Sequence, residues 1–233
     1  MVYKVDSDEH ADFLRGVVRA GCEIRSIEGH GPSISKRGLD MLLAGMAVLF
    51  FAPFFLLIAC VILLTDGRPV FFGHRRVGRE GREFACLKFR TMCKNADQRL
   101  ADHLAGNESA RREWTKRRKL SSDPRITRVG AFLRKSSLDE LPQLFNILRG
   151  DMSVVGPRPV VEDEARYYGS DFATYKSVRP GWTGLWQVSG RSDTGYDARV
   201  ALDVHYVENQ SLLMDLRVIA RTAVVVVMGK GAE

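Results

Sequence analysis

The sequence predicts an α+β chain, mostly helical, that is a monotopic membrane protein with a proline-broken re-entrant helix and a small β-hairpin. Three observations lead there. Met41 to Leu64 contains no charged residue and is interrupted once, by Pro53. Two short apolar stretches flank the turn-forming Gly78-Arg79-Glu80-Gly81. Helical spacing of apolar residues, or helix-favouring composition, covers much of the chain beyond the hairpin.

Global properties bound the function. A chain of 233 residues with 45% hydrophobic content can hold one domain plus a membrane element. The net charge of +7 suits a polyanionic partner: nucleic acid, an anionic bilayer or phosphorylated substrates. Nucleic acid is the poorest of these, because the cations gather beside the membrane run and around an acid pair that would repel a phosphate backbone. Cys22, Cys60, Cys86 and Cys93 lack C-x-x-C spacing. They support neither a disulfide framework nor a zinc site, which fits a reducing compartment.

Three segments are expected: a polar tail over 1–34, a membrane helix over 35–66 and a cytoplasmic catalytic domain over 67–233. The tail ends in the linker Gly29-His30-Gly31-Pro32 and carries no secretory signal. At about 1.5 Å per residue the apolar run can cross a hydrocarbon core of about 30 Å. Pro53 divides it into halves of roughly 18 Å each, about one leaflet deep. Lys36 and Arg37 precede the run, and Arg68, Arg75, Arg76 and Arg79 follow it. Basic residues at both ends favour keeping both ends cytoplasmic, so a re-entrant hairpin is preferred over a kinked spanning helix.

Val70 to Phe72 and Phe84 to Phe89 then read as the arms of the hairpin. Lys88 and Arg90, two residues apart, would share one strand face. Ala96 to about Leu120 is helix-prone and dense in cations, among them Arg111, Arg112 and Lys116. A solvated face is the plain explanation. Near anionic lipid each such cation contributes about 1 kcal/mol, which makes surface docking a second role.

Ser136-Ser137-Leu138-Asp139-Glu140-Leu141-Pro142 is the stretch around which the chemistry is expected. Read structurally, Ser137 and Glu140 form a capping box that opens a helix with Leu138, Leu141, Phe145 and Leu148 on one face. Pro142 opposes that reading, because it removes a donor in the second turn and leaves the backbone irregular at the acids. Downstream, Pro157-Arg158-Pro159 presents a guanidinium from a stiff loop. Guanidinium grips phosphate through two bonds. The loop from Arg179 to Arg191 carries Trp182 and Trp186, which can stack on a ring or form a core corner. Ser211 to Met228 has helical apolar spacing but is too short in its tetravaline run to span a bilayer.

Taken together, these segments resemble the bacterial sugar transferase family of monotopic phosphoglycosyl transferases. The resemblance rests on Lys36-Arg37-Gly38-Leu39-Asp40, the proline-broken run, Lys88-Phe89-Arg90-Thr91-Met92 and Asp123-Pro124-Arg125-Ile126-Thr127. It continues through Leu138-Asp139-Glu140-Leu141-Pro142-Gln143-Leu144, Val155-Gly156-Pro157-Arg158-Pro159 and the Gly184 to Arg191 loop. It covers about residue 34 onward and is strongest for short exopolysaccharide-initiating members; Ala52 stands before Pro53 where many members have serine.

The resemblance implies transfer of a hexose 1-phosphate, galactose or glucose, from a UDP-sugar to undecaprenyl phosphate, with release of UMP. It implies Asp139 as the nucleophile, with Asp139 and Glu140 as the residues for Mg²⁺, and Glu140 helping to hold that ion or handling protons at the neighbouring phosphate. Arg134 and Arg158 would clamp phosphoryl oxygens, Lys88 and Arg90 would add to that charge, and Gln187 and Arg191 would contact nucleotide or sugar. The expected setting is an anionic bilayer, at the cytoplasmic face of a bacterial inner membrane. A homo-oligomer is left open. The competing class is a non-catalytic membrane scaffold with a basic surface.

Overall fold

Uninterrupted apolar sequence makes the first element: α1 (Ile34–Thr65) is a helix of 32 residues with Pro53 inside it. At 1.5 Å per residue it is roughly 48 Å long. The computed structural model describes residues 34–117, 119–189 and 195–227. The tail expected before Ile34, and Arg191, lie outside the described residues. Helical structure continues through Pro53 instead of dividing into two separate halves. A proline removes only one donor, so the rest of the hydrogen-bond ladder can carry the helix past it. Large apolar side chains including Leu42, Met46, Leu49, Phe50, Phe54, Leu57 and Leu64 are exposed, as suits a helix whose surroundings are lipid.

The described residues form two compact units, one comprising those up to Ala47, Arg75–Cys86 and those from Leu144 onward, the other Val48–His74 and those from Leu87 to Gln143. The hairpin strands β1 (Phe71–Val77) and β2 (Glu83–Phe89) pair with each other. The first arm is longer than its apolar residues suggest, because His74, Arg75 and Arg76 continue the strand. The turn between them places Glu80 and Gly81 at positive φ (59° and 74°), where glycine costs little.

In the second unit, Phe89 is buried, stacks with Phe71 at 5.3 Å and meets Phe55 in a tilted contact at 5.6 Å. The cationic helical stretch is two helices, α2 (Ala96–Gly106) and α3 (Glu108–Arg117), parted at Asn107, whose side chain accepts from the Ala110 N–H. Arg111 donates to the Leu104 and Ala105 carbonyls, which satisfies acceptors at the end of α2. Next, Asp123 and Arg125 form a bidentate pair, and the Arg125 guanidinium lies 5.0 Å from the Trp114 ring. Met92 bridges to Ile126 and brings this loop to the end of β2. From there α4 (Arg128–Lys135) begins, capped by the Thr127 hydroxyl on the Gly130 N–H at 2.9 Å.

The first unit is built on α5 (Gln143–Arg149), apart from its first residue, and on a two-stranded parallel sheet. Its strands are β3 (Ser153–Val155) and β4 (Gly181–Thr183), in register Ser153 with Gly181 and Val155 with Thr183. A Cβ on Gly181 would run into the Gly156 backbone, so the close approach of the two strands needs glycine there. Between the strands lie α6 (Ala165–Tyr168) and α7 (Phe172–Lys176), and after them α8 (Leu185–Val188), α9 (Tyr196–Glu208) and α10 (Leu212–Val227). Val77, Val160, Tyr168, Tyr175 and Val200 form one core cluster.

The start of α1 is fastened inside this unit. Lys36 Nζ donates to Asp215 Oδ2 (2.8 Å), Tyr206 Oη (3.1 Å) and the Val155 carbonyl (3.0 Å). Arg37 donates to the Ile147 and Leu148 carbonyls at the end of α5, and Asp40 accepts from Ser153 Oγ and the Val154 N–H. The two cations that open the membrane run are thus tied down rather than free surface charges.

Candidate active site

The acid pair does not open a helix. Ser137 takes a left-handed conformation (φ 55°) and makes no side-chain cap, and Leu138–Glu140 is a single 3₁₀ turn. Pro142 then intervenes before α5 begins at Gln143. The capping-box alternative is therefore corrected. A cap requires an extended residue at the position Ser137 occupies, and the chain coming off α4 arrives there with φ positive. A non-glycine residue at positive φ is uncommon and costs about 1–3 kcal/mol, a kind of strain that gathers at functional sites.

That turn separates the two carboxylates by environment. Asp139 is 8% exposed, whereas the Glu140 side chain is 40% exposed. Lys88, from β2, reaches both: its Nζ lies 2.6 Å from Glu140 Oε1 and 3.8 Å from Asp139 Oδ2. Burial raises the Asp139 carboxyl above its ordinary range, the Lys88 charge opposes this, and Glu140 adds to the rise. Arg134 also pulls it down, so this guanidinium belongs to the same electrostatic cluster. Its Nε donates to Thr91 Oγ1 at 2.8 Å, which fixes the side chain from the end of β2. Thr91 is thus a supporting residue that sequence alone does not single out. Its one signal is its place in the Lys88 to Met92 motif.

Arg90 does something else. β2 ends at Phe89, so the alternation that would align Arg90 with Lys88 stops. The Arg90 guanidinium is buried and donates to the Asp66 and Gly67 carbonyls just past the end of α1, at 2.9 and 2.6 Å. This corrects the shared-face expectation: Lys88 turns to the acids and Arg90 to the membrane helix terminus.

Arg158 and Gln187 lie in the other unit. Gln187 Nε2 donates to the Trp182 carbonyl. The Arg158 guanidinium lies 5.3 Å from the Trp186 ring, and that of Arg199 lies 4.8 Å from the same ring. Trp186 is therefore a platform for two cations. Arg158, Tyr168, Trp186, Tyr196, Arg199 and Asp203 line a small cavity. Asp203 is 2% exposed and accepts from Tyr168 Oη at 2.7 Å, and the nearby Arg158 backbone N–H favours its charged form. Burial pushes its carboxyl up to about 7, against the pull of those donors and both guanidiniums. Motif spacing does not point to α9. An acid at Asp203, on the stripe of Val200 and Val207, is the signal the sequence offers there.

The donor set at the acid pair suits magnesium. Such an ion takes one or two carboxylates and completes its shell with water and substrate phosphates. Asp139 and Glu140 supply two hard oxygen ligands. Among the described residues no larger cluster of metal-binding side chains is present.

A buried carboxylate, a neighbouring exposed one and two cations form a site suited to phosphoryl chemistry. Residues 32–229 match the bacterial sugar transferase family. This chain belongs to that family. The sugar transferase is 52% identical over 209 residues to the exopolysaccharide production protein ExoY of Sinorhizobium fredii, covering 90% of this chain and 91% of that protein. It is 53% identical over 199 residues to ExoY of Rhizobium meliloti, covering 85% and 88%. It is also 49% identical over 197 residues to the undecaprenyl-phosphate galactose phosphotransferase of Salmonella typhimurium, covering 84% of this chain and 41% of that longer protein. These relationships make the sugar transferase an enzyme of the phosphoglycosyl transferase kind and set aside the non-catalytic scaffold.

Proposed function

We propose that the enzyme transfers hexose 1-phosphate, with galactose first in line, from a UDP-sugar to undecaprenyl phosphate, as the first step of exopolysaccharide synthesis. The carrier lipid and the galactose preference are supported by the Salmonella typhimurium relative and by the UDP-galactose-lipid carrier transferase of Erwinia amylovora; the pathway is supported by the two ExoY relatives.

The observation that carries the mechanism is the buried Asp139 carboxyl facing Lys88, with Arg134 nearby and Glu140 at its side. In the first half-reaction an Asp139 carboxylate oxygen attacks the phosphorus bearing the sugar. The bond from that phosphorus to the bridging oxygen breaks, and UMP leaves with the electron pair. The sugar phosphate is now held as an acyl phosphate, which keeps the anhydride energy and splits one difficult displacement into two. In the second half-reaction a phosphate oxygen of the lipid attacks the same phosphorus, and the Asp139 carboxylate departs. Both nucleophiles are anions, so neither step needs a base to create them. Lys88 and Arg134 neutralise the charge that would keep two anions apart, and Arg158 is read as a binder of phosphoryl oxygens of the nucleotide sugar. Asp139 and Glu140 would hold Mg²⁺, which supplies further charge neutralisation to a diphosphate when bound.

The membrane helix gives the lipid access. α1 is long and apolar enough to cross a bilayer. Its start is tied to β3 and α10 through Lys36 and Asp40, and the segment after its end is tied to Arg90. The basic residues before and after the run support a re-entrant arrangement with both ends at the cytoplasmic face of the inner membrane. Single cysteines placed before Ile34 and after Thr65 in a cysteine-free background should both resist an impermeant thiol reagent in intact cells and react in inverted vesicles; labelling of one end from outside refutes the topology.

The chemistry is tested with purified protein, UDP-galactose, undecaprenyl phosphate and Mg²⁺. UMP and a lipid diphosphosugar are the expected products, and release of UDP overturns the mechanism. Mass spectrometry after acid-free quenching, with the lipid omitted, should find hexose phosphate on the peptide bearing Asp139.

A further inference from the structure

The cavity lined by Arg158 is not explained by packing alone. Asp203 Oδ1, Trp186 Nε1 and Arg199 Nε are buried and have no hydrogen-bond partner among the described residues. Each such group costs about 1–3 kcal/mol relative to a satisfied or apolar one. A core that had only to fill space would be more stable with apolar residues here, and polar groups held at such a cost call for a reason.

What these groups share is Arg158. The flanking prolines restrict its backbone, yet leave its long side chain free to turn. Asp203 and Arg158 line the same cavity, the Arg158 backbone N–H favours the charged form of Asp203, and Tyr168 Oη donates to the Asp203 carboxyl at 2.7 Å. Trp186 offers a face to the guanidinium, and Arg199 shares the ring. Two guanidiniums beside one indole repel each other, and Asp203 is the carboxyl in the cavity wall that offsets both. The Arg76 guanidinium adds a further tie to this loop, donating to the Pro159 carbonyl at 3.2 Å and pairing with Glu164 at 3.6 Å.

We propose that Asp203 is a positioning residue for Arg158, and that Tyr168 orients Asp203 for that purpose. This rests on the reading that Arg158 binds phosphoryl oxygens of the nucleotide sugar. Asp203 touches no substrate in this scheme. It fixes the loop so that the guanidinium is presented in one orientation, which lowers the entropy lost when phosphate binds.

The test is a double-mutant cycle on kcat/KM for UDP-galactose, with thermal midpoints measured on every variant. Asp203→Ala should lower kcat/KM about tenfold in the wild-type background and less than about twofold in an Arg158→Ala background, because coupled residues are non-additive. Asp203→Asn, which keeps a side-chain oxygen for Tyr168 but gives up the charge that offsets the two guanidiniums, should recover only part of the loss. A merely structural Asp203 would instead lower the midpoint and activity equally in both backgrounds, and that result overturns the proposal. If Asp203→Ala does not fold, Tyr168→Phe takes its place in the cycle, with a loss of about threefold expected only when Arg158 is present. Should Arg158→Ala alone leave kcat/KM unchanged, the phosphate role of Arg158 fails first, and the proposal with it. A loss at Arg158 without a loss at Asp203 or Tyr168 sinks the positioning role alone.

Discussion

At the scale of single residues, Asp139 shows a conflict between stability and chemistry. Its carboxyl is raised mainly by burial, so ionising it costs the folded state free energy at every pH above its folded value. That cost disappears as the pH falls below the unfolded value, where both states are protonated. Asp139→Asn should therefore reduce turnover by about a thousandfold or more while raising the thermal midpoint at pH 8, as a scanning calorimeter would show. In the proposed mechanism Asp139 must be ionised to attack, so the acid limb of kcat/KM for the UDP-sugar should lie above the range of an ordinary carboxylate. Lys88→Met removes a cation that opposes the rise; the limb should move to higher pH and activity should fall about a hundredfold. A limb that stays put would show that another group sets it. The Asp–Glu pair was legible from composition and order. Which acid is buried was not, because that depends on Lys88 arriving from a strand 52 residues earlier.

At the scale of elements, the site depends on α4 lying against the end of β2. A Cβ on Gly130 would strike the Thr91 backbone, and Thr91 is also the residue that fixes Arg134. Gly130→Ala should thus cost about 1–3 kcal/mol or more by overpacking, read from urea unfolding, and should lower kcat through the displaced Arg134. Thr127→Ala, which removes only the cap, should cost about 1 kcal/mol and leave kcat nearly unchanged. Equal effects of the two on kcat would contradict this account of Gly130. The helices and the hairpin could be read from periodicity and turn residues. The 3₁₀ turn at the acids could not, because Ser137-x-x-Glu140 fits a capping box equally well. Only the arrival of the chain from α4, with Ser137 at positive φ, rules the box out.

At the scale of the whole molecule, the membrane helix is locked to folded chain by a buried ion pair. Lys36 and Asp215 are 15% and 2% exposed at their side chains and share Tyr206 as a third partner. Removing one member leaves the other buried and uncompensated, which costs about 3–5 kcal/mol. Asp215→Ala should therefore lower the midpoint strongly and expose the first turns of α1 to limited proteolysis; an unchanged cleavage pattern would show that the anchor lies elsewhere. By itself the sequence determined that the chain carries an apolar run long enough to cross a bilayer, that its acids and arginines suit a phosphoryl reaction, and which family it joins. Those conclusions rest on residue types in order along the chain, which uncharged runs, prolines and paired acids reveal locally. The tertiary structure alone decided that Arg90 serves the helix terminus, that Asp139 is the buried acid, and that Asp203 and Arg158 line one cavity. Each of these depends on contacts between residues far apart in the chain, and burial and hydrogen-bond partners exist only once the chain has folded.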